Sequence, residues 1–324
     1  MPRVTRREFL ARSAGAGAVG GVAGFGGSRV RAAVQESPNV VPSCRPIVLH
    51  DDGRFAYGQL LAGKISGGKL HGVELTRGAD GKPVTRPGCL NVEHYYSTSQ
   101  AGGRFVPRTK APLSIKRLDK TAMRVEIGPY EKWRVGATVT YRLLPDCVIE
   151  ADYVFAFDAD YRGFEAFISN YFYNAWPPHL RLAGKWAEGR LNVPLEHHRW
   201  CRSDADRQRI LQILPAFYAH YAMQPDYDLA KSVDETLYSE PVLVTFIGTS
   251  GYAVVHWIEH KNCPSISANR RWGAHDFSLI GRDVKRGESV RCRAWMAYRK
   301  LDRESLDDVL NWTGGAWKKQ NEKD

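Results

Sequence analysis

Apolar and polar residues alternate along this chain in short runs, and Gly, Pro and Asp separate the runs. In the segment WRVGATVTYRLL, Val135, Ala137, Val139 and Tyr141 take every second position, the period of a half-buried antiparallel strand. Comparable runs occur at RPIVLH, RFAYGQLLAG, KLHGVEL, LSIKRLD, TAMRVEIG and CVIEADYVFAF. More follow at Phe164–Phe172, Pro241–Ile247, Tyr252–Ile258 and Ser289–Tyr298. Helix signals are few. Arg207–Leu214 has room for two turns before Pro215. In DRESLDDVLNW, Asp302 stands as an N-cap, Leu306, Val309 and Leu310 share a face, and Gly314-Gly315 ends the run. A propeller needs a repeat of about 40–50 residues, and none is visible. The pattern predicts an all-β fold, a large antiparallel β-sandwich with few short helices, as a single domain over residues 46–316.

The ends read differently. TRREFLARSAGAGAVGGVAGFGGSRVRAA resembles a bacterial twin-arginine export signal, with the pair at Arg6 and Arg7 and hydrophobic positions at Phe9 and Leu10. Cleavage after small residues near Ala32 or Ala33 makes residues 1–33 a signal peptide. The run Ala14–Gly27 is too short and Gly-rich to span a bilayer, and no later segment is apolar enough to do so. The mature chain is therefore expected without a membrane partner, in the periplasm or secreted. Residues 34–45 read as a linker and 317–324 as a charged tail.

Charge narrows the partners. The net charge is +11, but residues 1–32 hold six arginines against one glutamate, which leaves +6 for the rest. Those charges are scattered, with no basic block, so nucleic acid is not an expected partner. An acidic glycan is compatible. The six cysteines, Cys44, Cys89, Cys147, Cys201, Cys263 and Cys292, are widely spaced with no C-x-x-C. That spacing argues against a zinc ribbon or an iron–sulfur cluster, and an even count in an exported chain allows disulfides. No cofactor or metal is called for.

One motif suggests the contrary. His256-Trp257-Ile258-Glu259-His260 fits H-x-x-E-H, the inverted zinc-protease pattern, which needs a helix. Upstream, Val242–Ile247 and Tyr252–Ile258 flank Gly248-Thr249-Ser250-Gly251, as strands flank a hairpin turn. On a strand, residues four apart lie roughly 13 Å from each other, whereas two zinc-bound nitrogens each lie about 2 Å from the metal. The expectation is a strand that binds no catalytic zinc, with its histidines either polar residues at an exposed strand end or separate groups lining a cleft.

The richest polar stretch is RGFEAFISNYFYNAWPPHLRLAGKWAEGRLNVPLEHHRWC. Here Asn170, Tyr171, Trp176, Glu196, His198 and Trp200 set aromatic faces beside amides, carboxylates and imidazoles, as sugar binding requires. On an extended chain Glu196 and His198 point one way, His197 and Arg199 the other. The late stretch NRRWGAHDFSLIG adds Arg270, Arg271, Trp272 and His275, and NVEHYYSTSQ adds Glu93, His94, Tyr95 and Tyr96. No G-x-S-x-G or P-loop occurs, and G-x-G-x-x-G occurs only at Gly15–Gly20, inside the signal-like N-terminal run.

The β-rich layout with FEAFISNYFYNAW at mid-chain resembles the galactose-mutarotase-like supersandwich proteins, among them aldose epimerases and the sandwich parts of glycan-active enzymes. Asn170, Phe172 or Tyr173, and Asn174 can be laid on that family's Asn-His-x-Tyr-Phe/Trp-Asn pattern. Tyr171 stands where the family has its acid histidine. The resemblance implies a carbohydrate substrate. The expected function is an exported carbohydrate-active enzyme using His, Glu and Tyr as acid–base groups, for epimerisation, elimination or glycoside cleavage. The alternative is a non-catalytic glycan-binding or structural envelope protein. The catalytic candidates are His198, Tyr171, His275, Glu196 and His256. The substrate-binding candidates are Trp200, Trp272, Arg270, Arg271, Asn170 and Trp176. Replacing both Arg6 and Arg7 by Lys is expected to hold the precursor in the cytoplasm, as read by cell fractionation. Normal export of that variant refutes the signal.

Overall fold

Strands dominate the computed structural model, which describes residues 44–313 apart from 70, 101–103, 174–175, 190–197, 219–232 and 270–272. A four-stranded sheet takes the first elements in chain order: β1 (Ile47–Leu49), β2 (Arg54–Tyr57), β3 (Leu61–Ser66) and β4 (Gly72–Arg77). A six-stranded sheet runs β14 (His198–Cys201), β17 (Ser265–Asn269), β18 (Ala274–Val284), β11 (Tyr161–Tyr171), β5 (Asn91–Tyr96), β6 (Arg104–Phe105). A nine-stranded sheet runs β13 (Lys185–Glu188), β12 (His179–Leu182), β15 (Val242–Phe246), β16 (Tyr252–Ile258), β19 (Ser289–Lys300), β10 (Val148–Phe157), β9 (Val135–Leu144), β8 (Ala122–Ile127), β7 (Leu113–Arg117). Neighbouring strands are antiparallel, as in β9 with β10 and β11 with β18. The fold is an all-β antiparallel sandwich. By its contacts, Pro42–Asp324 forms one compact unit.

Alternation explains the layers. The inward positions Val135, Ala137, Val139 and Tyr141 of β9 are all buried, as are Ile149, Ala151, Tyr153 and Phe155 of β10. They meet Val92 and Tyr95 of β5, Ala166 and Ile168 of β11, and Phe277 and Leu279 of β18 in one core. On its other face the nine-stranded sheet carries a second apolar cluster, Val244, Phe246, Val255, Trp257 and Trp295, with Leu306 and Val309 against it. The rings of Trp257 and Trp295 stack at 5.7 Å. The helix α3, residues 307–313, follows a short turn capped by Asp302, whose carboxylate accepts from the N–H of Glu304 at 3.0 Å. Among the described residues the other α-helices are α1 (Pro107–Lys110) and α2 (Asp204–Tyr218). The sequence predicts only Arg207–Leu214 for α2. The helix begins earlier because the Ser203 hydroxyl accepts from the N–H of Asp206 at 3.1 Å and donates to that carboxylate at 2.7 Å. It continues through Pro215, where a stop is expected.

The two larger sheets share a polar tie at Leu90. This residue has φ +54°, unusual for a side chain with a Cβ. Its carbonyl accepts the hydroxyls of Tyr141 and Tyr153, each at 2.9 Å. Its N–H donates to Asn170 Oδ1 at 3.0 Å, and Asn170 Nδ2 donates to the His275 carbonyl at 2.9 Å. Asn170, expected on substrate, is thus a tie between β11, β18 and the turn ahead of β5. Every partner is buried, and an unpaired buried backbone group costs about 1–3 kcal/mol. Asn170→Leu strands two such groups, so urea unfolding is expected to show a loss of about 2–5 kcal/mol. Tyr153→Phe leaves Tyr141 on the same carbonyl and is expected to cost only about 1 kcal/mol.

Candidate functional site

The face of the six-stranded sheet turned away from the core is polar. The inward residues of β11, β18 and β17 are Ala166 and Ile168, Phe277 and Leu279, Ile266 and Ala268. Between them, facing the other way, stand Glu165, Ser169 and Tyr171, Asp276 and Ser278, Ser265, Ser267 and Asn269. The registers bring these into rows: Asp276 lies opposite Ser169 on one side and Ser267 on the other, and Ser169 lies opposite Asn91. Arg199 of β14, opposite Ser267, extends the row.

A bulge in β5 adds to this face what simple alternation would not. His94 pairs with Phe167, but Val92 already pairs with Ile168, so Glu93 is the extra residue. Bulges re-aim side chains in this way. Val92 and Tyr95 enter the core, whereas Asn91, Glu93 and His94 join the polar face. The bulge is held from behind by His71, whose Nε2 accepts the N–H of Val92 at 3.0 Å. Burial, and then the charge of Arg108, lowers the His71 pKa to about 4, so the ring is a neutral acceptor at ordinary pH. Glu93 is 2% exposed. One of its oxygens lies 2.7 Å from Arg108 Nη2 and the other accepts from Asn91 Nδ2 at 3.0 Å. Arg108 comes from α1, where Pro107 starts the helix beside β5. His94 stacks on Phe167 at 6.1 Å and receives the guanidinium of Arg104 at 2.9 Å.

The two ends of this face differ. At one end Tyr96, Phe167 and Cys201 are covered by Ile210 and Ile213 of α2 and by Val233. There the Arg199 guanidinium sits 5.2 Å above the Phe167 ring and 3.3 Å from the fully buried Glu165. The other end holds Tyr171, Asp276, Glu93 and Arg108, and Tyr171 and Arg108 are partly exposed. Asp276 is buried, and its Oδ1 has no hydrogen-bond partner among the described residues. Burial pushes its carboxyl well above the usual carboxylate range, and the charge of Glu93 pushes the same way. Burial, then Glu93 and Asp276, likewise raises the Tyr171 phenol. The end therefore combines a carboxyl whose burial favours its protonated form, a phenol and a carboxylate fixed by an arginine, an arrangement suited to donating and accepting protons.

No family model matches the sequence, and no curated protein matches it. Solved structures do match. One is a putative aldose 1-epimerase from Escherichia coli K12, at 8% identity over 79% of this chain and 99% of that one, TM-score 0.44. Another is a TPR-domain containing protein from Parabacteroides distasonis, at 13% identity over 78% of this chain and 48% of that one, TM-score 0.43. A third is a heparan sulfate lyase from Pedobacter heparinus, at 8% identity over 83% of this chain and 38% of that one, TM-score 0.40. None of them carries residue roles over to this chain.

Of the sequence candidates, Tyr171 stands at the open end of the polar face. His198 and Trp200 point to the opposite side of β14 from Arg199. Trp200 is in the core, its ring 4.6 Å from that of His198, and His198 Nε2 meets the Asp234 carboxylate at 3.0 Å. His275 lies between the sheets, with Nδ1 2.9 Å from Thr245 Oγ1 and Nε2 2.9 Å from the Trp176 carbonyl. Burial lowers its pKa to about 4. Trp176 packs against the core. His256 is fully buried on β16 between Phe172 and Phe277, at 6.1 and 6.2 Å. Burial, then His275, lowers its pKa to about 3. The H-x-x-E-H motif leaves β16 for a short 3-10 turn at His260–Asn262, and Glu259 holds Arg293 at 2.7 Å, so no helix joins its histidines. Glu196, Arg270, Arg271 and Trp272 lie outside the described residues.

Arg108 and Arg104 sit in a stretch, RFVPRTK, without any motif. Asp276 had a signal: it alternates with His275 and Phe277, which places it opposite the core. The Glu165–Arg199 pair is structural in kind. Breaking a buried pair from one side costs about 3–5 kcal/mol, and replacing both partners by apolar residues can cost little. Arg199→Met is expected to lose that much in denaturant unfolding, and Glu165→Leu/Arg199→Met to recover most of it. A full loss in the double variant refutes the pairing.

Proposed function

We propose that this chain is an exported carbohydrate-active enzyme, whose site is the open end of the polar face and whose chemistry is acid–base catalysis at a sugar carbon centre. One observation carries the reading. Asp276 is a buried acid whose burial favours the protonated form, and its unpartnered Oδ1 shares a face with Tyr171 and with a carboxylate that Arg108 and Asn91 fix in place. Buried polar atoms without partners are rare in folded proteins, and carboxyls with a raised pKa in a polar recess are candidates for donors. In this reading Asp276 donates the proton, Glu93 accepts one, and Tyr171 stabilises the oxygen that gains charge. Epimerisation, β-elimination and glycoside cleavage all use such a set. Arg104 and Arg108 suit an acidic sugar, since guanidinium matches carboxylate geometry. Export rests on Arg6-Arg7, and the periplasm or the cell exterior is the proposed location.

The binder alternative has an observation of its own. The arginines of this face already pair with Glu93 and Glu165, as they would on a surface that positions ligands without reacting. Mature protein, residues 34–324, screened against neutral and acidic glycans by product release and thermal shift separates the two. Asp276→Asn keeps the shape of a neutral carboxyl and is expected to fold and bind. It should lose about 10²–10⁴ of the rate. Full turnover in that variant overturns the catalytic assignment. Glycan-induced thermal shifts with no product from any substrate favour the binder.

A further inference from the structure

We propose that Cys44 and Cys147 form a disulfide in the mature protein, fastening the segment ahead of β1 to the turn between β9 and β10. The inference is independent of what the polar face binds. The two sulfurs lie 2.8 Å apart although 103 positions separate the residues in the chain. That is inside van der Waals contact, and a disulfide requires about 2.0 Å. The remaining sulfurs show nothing similar among the described contacts. Cys89 Sγ faces the Tyr171 carbonyl at 3.6 Å and Cys263 Sγ the Ser265 carbonyl at 3.4 Å.

The surroundings hold the pair in place. Leu144 and Val148 close a three-residue turn in which Asp146 and Cys147 have φ +59° and +57°. The Cys147 carbonyl accepts the N–H of Tyr298 of β19 at 3.2 Å. Cys147 is 1% exposed and belongs to the core, and Cys44 packs against that core while remaining partly exposed. Tyr57 of β2 donates its hydroxyl to the Val148 carbonyl beside the same turn. The four-stranded sheet already docks here, and the bond makes that docking covalent.

The chemistry is thiol–disulfide exchange with a low-molecular-weight or protein disulfide as oxidant. The half-exposed Cys44 thiolate attacks one donor sulfur, forms a mixed disulfide and releases one donor thiol. The Cys147 thiolate then attacks the Cys44 sulfur and releases the second. Two cysteine thiols are oxidised, the donor disulfide is reduced to two thiols, and both protons end there. Such bonds persist outside the cytoplasm and are rare within it.

The test uses the purified full chain with oxidised glutathione. After denaturation, four of the six cysteines are expected to react with a thiol reagent, and peptide mapping is expected to find Cys44 linked to Cys147. Reductant should then lower the Tm of the oxidised protein by roughly 5–15 °C, from the usual effect of closing a long loop. Cys44→Ser, at a half-exposed position, should fold and lose the reductant-sensitive part. Six reactive thiols, a different linked pair, or an unchanged reductant effect in Cys44→Ser each overturns the proposal.

Discussion

One backbone carbonyl organises much of this sandwich. At Leu90 two tyrosine hydroxyls from β9 and β10 and the amide of Asn170 from β11 converge on a residue in the left-handed region. The hydrophobic effect alone can press two sheets together but is non-directional. A buried group that must be satisfied admits few alignments, since sliding either layer strands it. The tie thereby fixes where β5 begins, and with it the register of Asn91 and Glu93 against β11 and β18.

The polar face depends on that start. A strand in plain alternation would offer it Asn91 and then every second residue. The bulge, backed by the neutral ring of His71, sets His94 beside Glu93 on this face and turns Tyr95 into the core. The apolar cover of α2 closes one end of the same face, so the charges there are spent on each other. At the far end burial and the charge of Glu93 raise the Asp276 carboxyl well above the usual carboxylate range. The division between a sealed structural end and a partly open chemical end arises from one helix and one extra residue.

The architecture was legible because period-two alternation is local. Val135 to Tyr141, the hairpin at residues 242–258 and the refusal of H-x-x-E-H to become a zinc helix all follow from it. The candidate site was only partly legible. Sequence clusters drew attention to His198, Trp200, His256 and His275, but density of polar residues does not tell which face a strand presents. Those four look inward or sideways, and their neighbours Arg199 and Asp276, one position away, reach the polar face. That Glu93 and His94 share a face depends on a bulge, which is a property of pairing with β11 and invisible in β5 itself. Arg108 depends on a one-turn helix between two strands. Long-range pairing made the site, and single-chain pattern carries little of it.

The last described helix has a consequence for where the chain can be cut. Trp257, Trp295 and Phe246 form an aromatic wall on the outer face of the nine-stranded sheet, and Leu306 and Val309 lie against it. Trp312 meets Trp257 edge to face at 4.9 Å and lies under Arg299 at 4.2 Å. Contiguous apolar surface of that kind on a monomer recruits other surfaces. A proteolytic nick or an early stop near residue 306 would leave the sheet pairing intact and turn this wall into a sticky patch, so trimming from the C-terminus threatens colloidal behaviour before it threatens the fold.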